Sequence, residues 1–212
     1  HLGASVDLHG GGSDLIFPHH ENEVAQSEGA SGKKFVTHWA HNGFVNIDNE
    51  KMSKSLGNFF TIREVLKKFS GEALRYFLLT THYRQPINFS DHPLTEAEAR
   101  VGYLYETLDR MDRAVAEGNT EREPLPVRQE LGVPQRLHVA LCDDLNTPQV
   151  LGLLADVLRT ANALVDHPPA TKGERKRVAA TLAGLRTDLD PLLRVLALGR
   201  HNPAEWLRAR RD

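Results

Sequence analysis

Three short runs in the first sixty residues of the 212-residue chain carry residue types that do chemistry. Lys51-Met52-Ser53-Lys54-Ser55-Leu56-Gly57-Asn58 sets two ammonium groups and two hydroxyls within five residues, then Gly57, whose backbone freedom suits an arm that closes on a polyphosphate. Charge builds on the non-bridging oxygens when an α-phosphate is attacked, and a lysine that meets it only then speeds the step selectively. A solvated basic loop has the same composition. His19 and Glu23, four apart, share one face of a helix, and imidazole and carboxylate are both zinc ligands. Two ligands do not make a site, and a helical His–Glu hydrogen bond accounts for the pair as well. In His9-Gly10-Gly11-Gly12-Ser13-Asp14-Leu15, three glycines let backbone approach a ligand, and Asp14 can accept hydrogen bonds from ribose hydroxyls. An ordinary glycine turn reads the same way, since the run is neither a Walker loop nor a dinucleotide fingerprint.

The elements that must position these residues change character along the chain. Short β-type runs, Ser5 to Leu8 and Gly43 to Asp48, flank a helix expected over His19 to Glu28 and opened by Pro18, a strand, helix, strand arrangement. From Thr61 the pattern is helical. Thr61 with Glu64 makes a capping box, Ile62, Val65, Leu66 and Phe69 follow at helical spacing, and a second helix is expected over Glu72 to Thr80. His82 to Pro93, with two prolines, reads as an extended connector and a domain boundary. Beyond it Thr95 caps a long amphipathic helix to Glu117, with Glu98 in the box position. Further helices are expected at Val133 to Leu141, Pro148 to Val165 (capped by Thr147), Gly173 to Leu185 and Pro203 to Arg210, an up-and-down bundle.

Composition bounds the function classes. With 40% hydrophobic residues the chain can bury a core of one large or two small domains, and a net charge of -2 leaves nucleic-acid contact to local basic patches. The single cysteine, Cys142, excludes an intramolecular disulfide and favours a cytoplasmic setting. No run approaches the roughly 18 apolar residues of a membrane span. The chain starts at His1, which points to processing or to an excerpt of something longer.

The order of residues adds a resemblance. Lys51 to Ser55 resembles the second signature of class I aminoacyl-tRNA synthetases, and its continuation through Leu56-Gly57-Asn58-Phe59-Phe60-Thr61 is similar to cysteinyl-tRNA synthetases in particular. Phe17-Pro18-His19-His20-Glu21-Asn22-Glu23 resembles the segment of that family whose first His and last Glu bind zinc beside two cysteines. The resemblance implies that Lys54, assisted by Lys51, stabilises the adenylation transition state. It implies that His19 and Glu23 are half of a Zn²⁺ site whose cysteines lie upstream of residue 1, so that this chain alone should not hold zinc tightly. Gly12 and Asp14 match the adenosine-binding part, His9 faces the aminoacyl adenylate, and Trp39 and His41 belong to the adenine-side segment. The substrates implied are cysteine, the cysteine tRNA and ATP with Mg²⁺, handled by a monomer away from membranes.

Gly71 to Phe77, His82-Tyr83-Arg84 and Asp143 to Pro148 resemble the family's stem and helical region, with Arg63, Lys67, Lys68, Arg75 and Arg84 as candidate tRNA-phosphate contacts. Lys172, Arg175, Lys176 and Arg177 form a further basic cluster, though solvated helix faces account for most such residues singly. The expected fold is α/β followed by all-α: an incomplete class I nucleotide-binding domain over 1-60, a helical stem and connector over 61-93, and a helix-bundle tRNA-binding domain over 94-212. Two alternatives stay open. One is the cysteine–amino sugar ligase of mycothiol synthesis, against which Phe59 to Arg63 counts; the other is a non-catalytic RNA- or protein-binding helical module.

Overall fold

The computed structural model describes residues 3–47, 50–51, 61–118 and 122–210. The chain divides into two compact units, one made of 1–61 with 81–90 and the other of 62–80 with 91–212.

In the first unit β1 (Val6–Gly12) pairs in parallel with β2 (Val36–Asn42), in register from Val6 opposite Val36 to Gly12 opposite Asn42. The crossover between them holds a 3-10 turn (Ser13–Leu15), a π turn (Ile16–His20) and α1 (Glu21–Ser31). α1 ends where Gly32 takes φ 66°, a left-handed value that spares a side chain strain, and the Gly32 N–H donates to Glu28 O. Val24 is its one large apolar residue, and none of its residues is buried. The expected strand, helix, strand order holds, but the closing strand is β2, whose His and Asn content conceals the pattern. Gly43 to Asp48 instead supplies β3 (Val45–Ile47), in a separate sheet between antiparallel β4 (Glu50–Lys51) and parallel β5 (Ile87–Phe89). β5 comes from the segment read as a connector.

The second unit is helical. α2 (Ile62–Val65) is shorter than its pattern, because Lys67, Lys68 and Phe69 turn back onto Glu64 and Val65. α3 (Gly71–Leu79) starts at Ser70, whose hydroxyl accepts from the Ala73 N–H at 3.1 Å. α4 (Asp91–Glu117) begins four residues before Thr95. Pro93 sits in its first turn, where a missing N–H leaves no intrahelical bond unmade, and the Thr95 hydroxyl donates back to Asp91 O at 2.9 Å. Glu98 is therefore no capping-box residue. Its carboxylate accepts from Ser70 N–H and Ser70 Oγ–H at 2.9 and 3.0 Å and takes Arg210 as a charged partner, tying α3, α4 and the last helix together.

α5 (Val127–Leu131) and α6 (Val133–Cys142) are separated by Gly132 at φ 52°. α7 (Thr147–Asp166) is capped by Asn146, which accepts from Gln149 N–H, while the Thr147 hydroxyl donates to Leu79 O. α8 (Lys172–Leu196) runs past the expected end at Leu185 and through Pro191, and α9 (Pro203–Ala209) closes the chain behind the Asn202 cap. The continuation of α8 follows from packing: Leu185, Leu189, Leu192 and Leu196 recur at helical spacing and are all buried with Leu108 of α4 and Leu153 and Val157 of α7. Burial of several leucines outweighs the ~3 kcal/mol of an interior proline. No described helix is long and apolar enough to cross a membrane.

Candidate functional site

In open parallel sheets ligands sit beyond the carboxyl ends of the strands. From the middle of the β1–β2 pair toward that end the first unit gathers polar aromatic residues. His9 comes from β1, Trp39 and His41 from β2, His20 from the last position of the π turn, and Glu23 from the first turn of α1. The ring centroids of His9 lie 4.9 Å from His20 and 4.8 Å from Trp39, and Trp39 stacks on His41 at 5.7 Å and 7°. His20 Nδ1 is 2.8 Å from His41 Nε2, and His9 Nε2 is 3.3 Å from Glu23 Oε2.

The glycine run makes this approach possible. A Cβ on Gly11 would sit 2.8 Å from His20 Cε1 and 3.0 Å from Leu15 Cδ1, and one on Gly12 would overlap the Asp14 carboxylate. Gly11 and Gly12 therefore serve to bring His20 and Asp14 against the strand, while a Cβ on Gly10 would face Ala40 O at 3.2 Å. His20 is the buried member of the set. Burial lowers the pKa of His41, as do the neighbouring His20, Arg84 and His9 in that order. A neutral His41 suits the His20 contact, where one ring nitrogen must donate and the other accept.

The metal-competent group among the described residues is His9, His20 and Glu23, whose ligand atoms all lie within 4.8 Å of one another. Glu23 and His9 were both expected at the site. His19 is exposed and outside this group, and His20 stands in it instead. The sequence carries a signal for His20: it is three residues from Glu23 and so shares a helix face with it, as His19 does at four. Gly12 and Asp14 are at the strand end, and Trp39 is within the cluster. Lys54 and the rest of 52–60 lie outside the described residues; the backbone of Lys51 is in β4 and its side chain lies outside them too.

The candidate phosphate contacts scatter. Arg63 is on α2, Lys67 and Lys68 follow it and Arg75 is on α3, all exposed; Lys68 pairs with Asp91 at 3.3 Å. Arg84 belongs to the first unit, its guanidinium 5.0 Å over the Tyr83 ring.

Known proteins match both parts of the chain. Residues 1–99 match the family model described as tRNA synthetases class I (C) catalytic domain, and residues 137–196 match the DALR domain. A cysteine–tRNA ligase of Anaeromyxobacter dehalogenans is 50% identical over 218 aligned residues, which take in 100% of this chain and 43% of that protein. The one from Geobacter sulfurreducens is 47% identical, over 98% of this chain and 42% of its own length. The chain thus spans less than half the length of these relatives. Among solved structures, Mycobacterium tuberculosis methionyl-tRNA synthetase bound by methionyl-adenylate superposes over 90% of this chain and 42% of its own with a TM-score of 0.69; at 19% identity it speaks for the fold. A class I catalytic segment followed by a helical domain is the architecture these matches describe.

Proposed function

This chain belongs to the class I cysteinyl-tRNA synthetase family, and we propose that the protein it comes from joins cysteine to its tRNA through a cysteinyl adenylate. The observation that carries the reading is the convergence of His9, His20, Glu23, Trp39 and His41 along the parallel β1–β2 pair, from its middle toward its carboxyl end, inside the segment matched as catalytic. In the first step a cysteine carboxylate oxygen attacks the α-phosphorus of ATP, the bond to the β-phosphate oxygen breaks, and pyrophosphate leaves. In the second a ribose hydroxyl of the terminal adenosine of the tRNA attacks the carbonyl, and AMP leaves. Both alternatives are disfavoured by relatives named as the tRNA enzyme that align along the whole chain.

Within that reading Lys54, with Lys51 beside it, meets the charge that grows on the α-phosphate. Gly12 and Asp14 take the ribose side of the nucleotide, and His9 and Trp39 line the adenylate. Arg63, Lys67, Lys68 and Arg75 offer cations to tRNA phosphates, and ATP enters as its Mg²⁺ complex. The protein acts as a monomer in the cytoplasm.

Glu23 is proposed as a zinc ligand with His19, and the geometry favours a second pairing, with His9 and His20. Two imidazoles and a carboxylate suit zinc, though a spread of 4.8 Å exceeds the roughly 3.3–3.5 Å between donors that bonds of about 2.0–2.1 Å to a tetrahedral ion imply. Zinc, when bound, supplies a soft Lewis acid that separates a thiol substrate from its hydroxyl analogue without editing. Zinc content of the full-length protein decides between the pairings: Glu23→Ala loses the metal under both, His19→Ala under the first and His20→Ala under the second.

Cysteine-dependent exchange of pyrophosphate into ATP tests the function. The full-length protein is expected to catalyse it, and Lys54→Ala to lower the rate far more than ATP affinity. Equal losses in the two would remove Lys54 from the transition state, and no exchange in the unaltered protein would remove the function.

A further inference from the structure

The segment Thr81–Ser90 belongs to the first unit although α2 and α3 separate it from the rest of that unit in sequence. Its docking is close. The Gly43 N–H donates to Tyr83 O at 2.8 Å, and the Ile87 N–H donates to Phe44 O at 2.9 Å, leading into the β5–β3 pair. Any Cβ on Gly43 would overlap the backbone of Gln85 and Pro86, so only glycine lets the segment lie this near. Gly43 stands one residue beyond β2, and the segment is therefore pressed against the strand end that carries His41.

Arg84 stands at the tip of the turn so formed. The Gln85 N–H donates to His82 O at 2.8 Å across it, and the Arg84 N–H donates to His82 Nδ1 at 3.3 Å. His82 stacks on Tyr83 with centroids 5.0 Å apart, and the Arg84 guanidinium lies 5.0 Å over the same Tyr83 ring, which limits where the fork can go before any ligand arrives. Its charge is felt at His41, where it disfavours the protonated ring. The other cations described in this unit, Lys33 and Lys34, precede the amino end of β2. Among the described side chains of this unit, Arg84 is thus the cation on the segment that docks just beyond the carboxyl end of β2.

A guanidinium presents five donors in a plane that matches two oxygens of a phosphate, and it stays charged at any working pH. We propose that Arg84 binds a phosphate of the nucleotide substrate at the reaction centre, supplied either by ATP or by the 3′-terminal phosphodiester of the tRNA. The proposal rests on the synthetase reading above and adds a residue and a ligand chemistry to its site.

The full-length protein with Arg84→Gln and with Arg84→Lys, compared with the unaltered protein, tests it. If the phosphate is that of ATP, Arg84→Gln lowers kcat/KM for ATP in pyrophosphate exchange about tenfold to a hundredfold while KM for cysteine stays put. If it is that of the tRNA, exchange is unchanged and the same loss falls on kcat/KM for tRNA in charging. In either case Arg84→Lys recovers part of the loss as a point charge, and the thermal midpoint is that of the unaltered protein. Both variants within twofold of the unaltered protein in both assays would overturn the role, as would a loss shared with KM for cysteine and accompanied by a lower midpoint. An unaltered protein without exchange or charging overturns the synthetase reading and this role with it; exchange and charging both at the unaltered level in Arg84→Gln overturn the role alone.

Discussion

At the scale of single residues the site depends on what is missing from Gly11. The His20 ring occupies the space where a side chain would be, so Gly11→Ala has to push His20 off β1 and off His41. Displacements of about 1 Å at a reacting centre cost on the order of 100-fold in rate. Gly11→Ala in the full-length protein is expected to lose about that much exchange activity with KM for ATP little changed; an unimpaired rate would show that His20 has no part in the site. His41 makes a prediction about pH. Its folded pKa lies below the ordinary value of 6.5, with burial the first cause, so the unfolded chain binds the proton more readily. The stability His41 contributes is then fully present above about pH 6.5 and is lost as pH falls through the folded value. Denaturant unfolding of this chain from about pH 7.5 to 5 should show a fall that His41→Gln lessens; parallel curves would refute the shift. His20 was the residue least legible in the sequence. A face-sharing rule admits His19 and His20 alike, and only the contact with Gly11 across the crossover separates them.

At the scale of elements, the sequence announced helices better than it announced their ends. Thr147 and Thr95 look like caps because a hydroxyl precedes each helical pattern, yet Asn146 takes the first role and the Thr95 hydroxyl bonds back inside the helix. Local rules rank capping residues but do not know that Thr147 is engaged by Leu79 from another helix. β2 was hidden for a like reason: strand propensity cannot distinguish a ligand-facing His from a turn residue. The α5–α8 contact was not visible at all. Arg128 of α5 meets Asp188 of α8 with two hydrogen bonds, at 2.9 and 3.0 Å, and its guanidinium lies across Gly184. A Cβ at Gly184 would stand 2.5–2.6 Å from Arg128 Nε, Cζ and Nη1. Gly184→Ala is therefore expected to destabilise by about 1–3 kcal/mol despite the better helix propensity of Ala, because the clash breaks a part-buried ion pair. In an Arg128→Ala background the sign reverses and the same change stabilises by up to about 1 kcal/mol. Denaturation midpoints of the four proteins measure the reversal, and additive effects would contradict it.

At the scale of the molecule, the two units differ in what holds them. Among the described residues Val36 and Phe89 are the buried apolar side chains of the first unit, while the second buries a continuous cluster along α4, α6, α7 and α8. Hydrophobic burial is the main favourable term in folding, and protection from exchange follows the density of buried apolar contacts. Backbone amides of α7 and α8 should therefore exchange slowest in this chain, and those of β1, β2 and α1 well before them. Uniform protection would mean that the first unit draws stability from a source other than its own core. Zinc sharpens the test, because all three clustered donors lie in the weakly held unit. Drawing together ligand atoms spread over 4.8 Å has to be driven by binding energy, which lowers affinity by that amount. Equimolar zinc at micromolar concentration is accordingly expected to leave exchange at β1 and α1 unchanged in this chain. Slowing confined to those elements, and abolished by Glu23→Ala, would instead establish that the three donors close on the metal without help from the rest of the protein.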